Sequence, residues 1–211
     1  MKRLLTIFLL TSAIAAYALL EGEVNFTHLI PSSEGTLSMT FHAHPQQNIM
    51  VSVAVGTEEY QQPSIPSDFE GSVFIPDSVP FEGRMLPVLW ISRGSFQLCP
   101  KLKEVRLPNS LLSISDLAFE GCTSLREITL PASLDVIYPH AFIGCTSLRR
   151  VRFLPITPPE SYNNDTFDEV TYATATLVVP AAAADAYLCN PLSYRFRYHA
   201  EELPIYNKEQ P

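Results

Sequence analysis

Residues Ala118 to Arg126 read AFEGCTSLR, and residues Ala141 to Arg149 read AFIGCTSLR. Eight of nine positions agree at an offset of 23 residues. Extending both copies exposes a third before them. Ile91 to Pro108 reads ISRGSFQLCPKLKEVRLP, Ile114 to Pro131 reads ISDLAFEGCTSLREITLP, and Ile137 to Pro155 reads IYPHAFIGCTSLRRVRFLP. Four columns keep the 23-residue spacing: Ile91, Ile114, Ile137; Phe96, Phe119, Phe142; Cys99, Cys122, Cys145; and Leu102, Leu125, Leu148. A unit this short cannot bury its own apolar face and has to stack on a neighbour, so the period predicts a solenoid.

Each unit carries the pattern L-x-x-[VI]-x-[LF], seen in Leu102-Val105-Leu107, Leu125-Ile128-Leu130 and Leu148-Val151-Phe153. The last two members of each set alternate at period two, as on a strand with one buried face. Pro108 and Pro131 follow at once and Pro155 one residue late, ending each strand by removing a ladder donor. The A/S-F-x-x-C segment forms the return side, with its Phe and Cys columns pointing inward.

These residues resemble the leucine-rich repeats of the bacterial BspA-like family, whose unit reads approximately I-x-x-x-A-F-x-G-C-x-x-L-x-x-I-x-L-P. The likeness is close over residues 91–153 and extends more weakly over 69–200. Gly71 to Pro76 reads as an upstream strand and Ala175 to Pro180 as a downstream one. Extra residues around Glu82-Gly83 fit the small hairpin that such proteins often place before their first regular turn. Phe167 follows Phe142 by 25 residues, so the fourth turn is expected to be irregular. The fold expected is a β-rich α/β solenoid, a short right-handed leucine-rich repeat coil.

Solenoids need caps. Leu37, Met39, Phe41 and Ala43 alternate with Ser38, Thr40, His42 and His44. A turn at Pro45 to Asn48 and a second alternating run, Ile49 to Val55, complete a hairpin with one apolar face, expected to cover the first coil. Ala181 to Leu188 is a helix candidate, and Tyr187, Tyr194, Phe196 and Tyr198 are expected to close the last turn. At the N-terminus, Lys2 and Arg3 precede an apolar run from Leu4, and Ala16-Tyr17-Ala18 forms an A-x-A cleavage site. A retained anchor would need a longer span than this run, which ends at Leu20 before Glu21-Gly22-Glu23. The organisation expected is therefore a signal peptide over 1–18, a β cap over 19–68, the coil with its C-terminal cap over 69–200, and a loose tail over 201–211. Loss of Lys2 and Arg3 takes the net charge from −8 to −10. So acidic a chain is a poor nucleic-acid binder. Export to the periplasm, cell surface or medium is expected, with no membrane span in the mature chain.

Chemistry is sparse. His42 and His44 lie two apart on a strand and could share a metal with a third Asp or Glu, but no third ligand is placed, and a polar hairpin face in water is the reading preferred. His28 and His140 stand alone in the sequence, and Asp116 and Asp135 do not recur across the repeats. Neither a nucleophile elbow, a zincin helix nor a phosphate loop occurs. No enzyme, cofactor or metal is expected. The sequons at Asn25 and Asn164 matter only in a eukaryotic source, and the resemblance implies a bacterial one. Stacked cysteines lie within bridging distance, but parallel side chains do not converge. Free buried thiols are expected, with Cys189 apart near the C-terminus.

The outward strand positions form a ribbon. Its ends are Ser72 with Phe74 and Thr176 with Val178, and its centre is Glu104, Arg106, Glu127, Thr129, Arg150 and Arg152. The bland reading is a solvated sheet face with exposed ion pairs. The sharper one is a strip that binds a protein, since curved repeats present extended surfaces. The resemblance implies an adhesion or protein-binding role toward host matrix or other cell-surface proteins. A monomeric binding protein is expected. An assembly subunit of an envelope complex and a glycan-binding accessory remain open, the former because five turns at about 4.8 Å make a stack of only about 24 Å.

Overall fold

The computed structural model describes residues 24–46, 49–55, 63–161 and 165–202. The expected signal peptide and the sequon at Asn164 lie outside them, as does part of the turn at Pro45 to Asn48.

The repeats fold as turns that place one strand each on the outward ribbon and one short bridge on another side. The ribbon strands are β4 (Gly71–Phe74), β7 (Leu102–Arg106), β9 (Glu127–Leu130), β11 (Arg150–Phe153) and β13 (Thr176–Pro180). The bridges are β8 (Ser113–Ile114), β10 (Val136–Ile137) and β12 (Glu160–Ser161). All pairings along the coil are parallel and one turn apart: Glu127 opposite Arg150, Ile128 opposite Val151, and Ser113 opposite Val136. Burial alternates as the pattern requires, with Ile128, Leu130, Val151 and Phe153 buried while Glu127 and Arg150 are exposed. The prolines after the strands, Pro108, Pro131 and Pro155, are themselves buried.

The Phe column is a stack of parallel rings. Phe96 to Phe119 is 4.9 Å between centroids at 2°, Phe119 to Phe142 is 5.0 Å at 1°, and Phe142 to Phe167 is 5.2 Å at 10°. The spacing is that of neighbouring strands, because identical side chains on consecutive turns take the same rotamer. The two extra residues before Phe167 therefore do not break the column: Phe142 and Phe167 still form a parallel bridge. Beyond it, Phe167, Tyr172 and Phe196 meet edge to face. The cysteine column lies alongside. The Cys122 thiol donates to the Phe96 carbonyl and the Cys145 thiol to the Phe119 carbonyl, both at 3.1 Å. Each thiol thus bonds back to the preceding turn.

Two columns take left-handed backbone at every turn: Gly94, Leu117 and His140 at φ 65°, 57° and 58°, and Leu98, Gly121 and Gly144 at 54°, 70° and 75°. Only half of these positions are glycine, so composition hides the repeat of conformation.

The N-terminal region exceeds the hairpin expected. β1 (Val24–Ser32), β2 (Gly35–Gln46) and β3 (Ile49–Val55) form an antiparallel meander. It joins two sides of the coil at once, since β3 pairs in parallel with β6 (Arg84–Ile91) and β1 meets β4 at Ser32 opposite Val73. Ile30, Met39, Phe41 and Val55 are buried against the first turn's core. Ser95 fastens the junction, its hydroxyl donating to the Val55 carbonyl at 2.7 Å. The Glu82-Gly83 hairpin is present: β5 (Ser78–Phe81) pairs antiparallel with β6, and both turn residues have positive φ, as a two-residue primed turn requires.

Several expectations are corrected at the C-terminal side. The helix candidate is a 3₁₀ turn, Ala181–Ala183, followed by an α-helix, Ala184–Leu188. A second short helix, Glu169–Thr174, precedes β13, its N-terminus capped by Asp168, whose carboxylate accepts from the Thr171 amide at 2.7 Å. Tyr187 and Phe196 are buried, whereas Tyr194 and Tyr198 are exposed, so two of the four aromatics close the last turn. β14 (Tyr198–Glu202) then adds in parallel to β13.

Candidate functional site

The ribbon is the surface the repeat builds at every turn. It is not one continuous sheet. Among the described residues, β4 and β7 end one sheet, while β9, β11, β13 and β14 form another, and no ladder joins β7 to β9. Glu104 and Arg106 therefore stand on the first sheet, and Glu127, Thr129, Arg150 and Arg152 on the second. Val178, expected to point outward, is buried, with β14 placing Ala200 opposite it. The structure keeps the other predicted positions on the ribbon: Glu104, Arg106, Glu127 and Arg150 are exposed, and Thr129 and Arg152 half-buried.

Local contacts set each side chain. The Arg106 guanidinium lies 4.7 Å from the centroid of Phe74 and bonds Glu104 at 3.0 Å. The first sheet thus offers a stacked cation over an aromatic. Arg150 approaches Glu127 only to 3.8 Å, a loose exposed pair that constrains neither side chain. Lys103 bonds Glu70 at 2.8 Å and holds that carboxyl below its usual range. Arg149 is anchored, donating to the carbonyls of Thr146 at 3.0 Å and Leu148 at 2.9 Å.

Sequence reasoning missed one cluster. His140, read as isolated, lies between two carboxylates, its Nε2 2.9 Å from Asp165 and its Nδ1 3.4 Å from Asp116. Arg93 extends the chain at 3.3 Å from Asp116. These residues sit one per turn outside the ribbon and are joined by stacking, although they are of different types and so make no visible repeat. His42, read as part of a solvated face, is buried, its Nδ1 2.9 Å from Asn25 Oδ1. Among the described residues no group of three His, Cys, Asp or Glu side chains is placed to hold a metal ion. None of the helices there is long and apolar enough to cross a membrane.

The cysteines are buried except for Cys189. Burial pushes the Cys99 thiol up to about 12. The neighbouring Cys145 thiol, and then burial, push Cys122 up as well. Thiols held protonated are poor nucleophiles and poor metal ligands, so Cys99 and Cys122 act as packing.

Residues 88–179 match the BspA type leucine rich repeat region in 6 copies. These turns are BspA-type leucine-rich repeats. Repeats of this class typically mediate protein–protein interaction. Among solved structures, a leucine rich cell surface protein from Faecalibacterium prausnitzii is similar at 16% identity and a TM-score of 0.49. The likeness covers 77% of this chain and 41% of that one. No curated protein matches the chain.

Proposed function

We propose that the chain is a short right-handed solenoid of 23-residue turns. The N-terminal sheet and the C-terminal helices close it, and residues 1–18 are removed on export. It works at the bacterial cell surface as a protein-binding or adhesion module, by recognition rather than catalysis. The observation that carries the reading is the register of the ribbon. Glu127 opposite Arg150 opposite Thr176 gives at least one outward side chain per turn at strand spacing. Such a strip suits a macromolecule laid across several turns. Membership of the repeats in a class of interaction modules supports it. The test is capture: the chain from Leu19 onward, immobilised, is exposed to matrix proteins and neighbouring-cell extracts. Retention of a specific protein, saturable and competed by free chain, is the expected result. Nothing retained above a repeat-free control would overturn the reading.

A further inference from the structure

The side of the coil built by the short bridges carries a second surface, apart from the ribbon. β8 is paired on both sides, between β6 and β10, and so is β10, between β8 and β12. Ile91, Ile114 and Ile137 are buried beneath, so the residues before and after each of them face outward at period two. Before the isoleucines the outward positions run Trp90, Ser113, Val136 from turn to turn. After them they run Ser92, Ser115, Tyr138, where the Ser115 and Tyr138 amides donate to the carbonyls of Ile91 and Ile114, both at 2.9 Å. Trp90 and Tyr138 thus occupy diagonal corners of the patch, two turns or about 10 Å apart along the stack. Tyr138 is exposed, and Trp90 and the three serines are half-buried. Beside the Tyr138 row runs the chain Arg93, Asp116, His140, Asp165, with 3.3, 3.4 and 2.9 Å between successive groups. Its four side chains are each 33–46% exposed.

We infer that this patch binds a short neutral oligosaccharide. The site lies off the ribbon and adds a second contact to the one proposed above. An aromatic ring presents an apolar face to the C–H face of a sugar, and rings at diagonal corners can seat two sugars of one chain. The serines between them leave room for that chain. Among the described residues their hydroxyls have no hydrogen-bond partner, so they remain open to the hydroxyls of a sugar. The Arg93 to Asp165 chain offers planar donors and acceptors that hold one another in place, which reduces the ordering cost of binding. Charge narrows the ligand. Asp116 and Asp165, with the exposed Asp135 and Glu160 beside Val136, outnumber Arg93, so a sulfated or sialylated chain is repelled. A peptide fits worse, because β8 and β10 have no open edge for an extended segment to join.

Trp90 is the only tryptophan of the chain, so its emission reads the site directly. The test exposes the chain from Leu19 onward to an array of neutral hexose and N-acetylhexosamine oligomers beside sulfated and sialylated ones. The best-retained oligomer is then titrated in solution while tryptophan fluorescence is recorded. Neutral oligomers should be retained, with a saturable change in emission. Tyr138→Ala should weaken binding by about tenfold, with circular dichroism unchanged. Ser115→Leu, which fills the space between the two rings, should do the same and serves if the first variant misfolds. Retention of no neutral oligomer, a preference for the anionic ones, an emission that does not respond, or an affinity untouched by both substitutions would overturn the inference. Capture of a protein partner by the ribbon is a separate measurement and is unaffected by any of these results.

Discussion

The Cβ that Gly144 lacks would stand 3.2 Å from the backbone nitrogen of Gly121 and 3.3 Å from its Cα. Successive turns therefore touch backbone to backbone at this column, and a side chain there must wedge them apart. At Gly121 the same added atom comes close to the end of the Leu98 side chain, at 3.0 Å, while the Leu98 backbone stays at 3.8 Å or more. Leu98 itself holds the left-handed conformation at the exposed start of the column.

Gly144→Ala is accordingly expected to cost more than Gly121→Ala. Left-handed backbone alone costs a non-glycine residue about 1–2 kcal/mol, and the contact with the backbone of Gly121 adds to it. Urea melts of both variants check the order, and equal losses would mean that the turns are less tightly stacked.

Leu125 is fully buried in the middle turn, while Glu127, two residues on, is exposed. Leu125→Ala should cost about 2–5 kcal/mol through lost burial and the cavity it leaves. Glu127→Ala should stay within about 0.5 kcal/mol. Similar losses at both positions in denaturant melts would show the strand faces to be reversed.

The thiols give a chemical test. In the native protein a thiol reagent at mildly alkaline pH should modify Cys189 rapidly and Cys99, Cys122 and Cys145 slowly, because the latter three are buried away from the reagent. In denaturant all four should react. Peptide mapping by mass spectrometry reads both states, and cysteines that stay unreactive in denaturant without reductant would reveal a disulfide.

The same burial makes stability depend on pH. The Cys99 thiol ionises near 9.0 when unfolded and at about 12 when folded. Between those values the folded chain binds more protons than the unfolded one. The contribution is therefore complete below about pH 9 and is lost as pH rises toward about 12. Melting temperatures should fall across that window, and Cys99→Ala should flatten the fall relative to its own value at neutral pH. Parallel curves for the two proteins would contradict the assignment.

Much of this architecture is legible in the sequence because stacking turns chemistry into periodicity. Phe96, Phe119 and Phe142 had to be identical to stack, and the Ile, Cys and Leu columns follow the same logic. What escaped was held by backbone rather than by side-chain type. β14 reads YHAEE, with no apolar alternation, and joins the sheet through its ladder with β13. β1 carries Pro31 and a mixed composition. The left-handed columns mix glycine with leucine and histidine, so conformation repeats where identity does not. His140, Asp116 and Asp165 meet because consecutive turns stack, a relation that motif spacing does not encode. The break between β7 and β9 has no counterpart in the sequence, where both strands carry the same pattern.

The central claim is that the ribbon carries the contact with a protein partner. The direct measurement is binding of the captured partner to the double charge reversal Arg150→Glu, Arg152→Glu. Both side chains point away from the core formed by Val151 and Phe153, so the fold should survive. The account predicts a slower association rate and an altered salt dependence, with circular dichroism and melting close to those of the parent. Unchanged affinity in the folded variant would contradict it and move the contact to another surface, the Glu82-Gly83 hairpin or the N-terminal sheet.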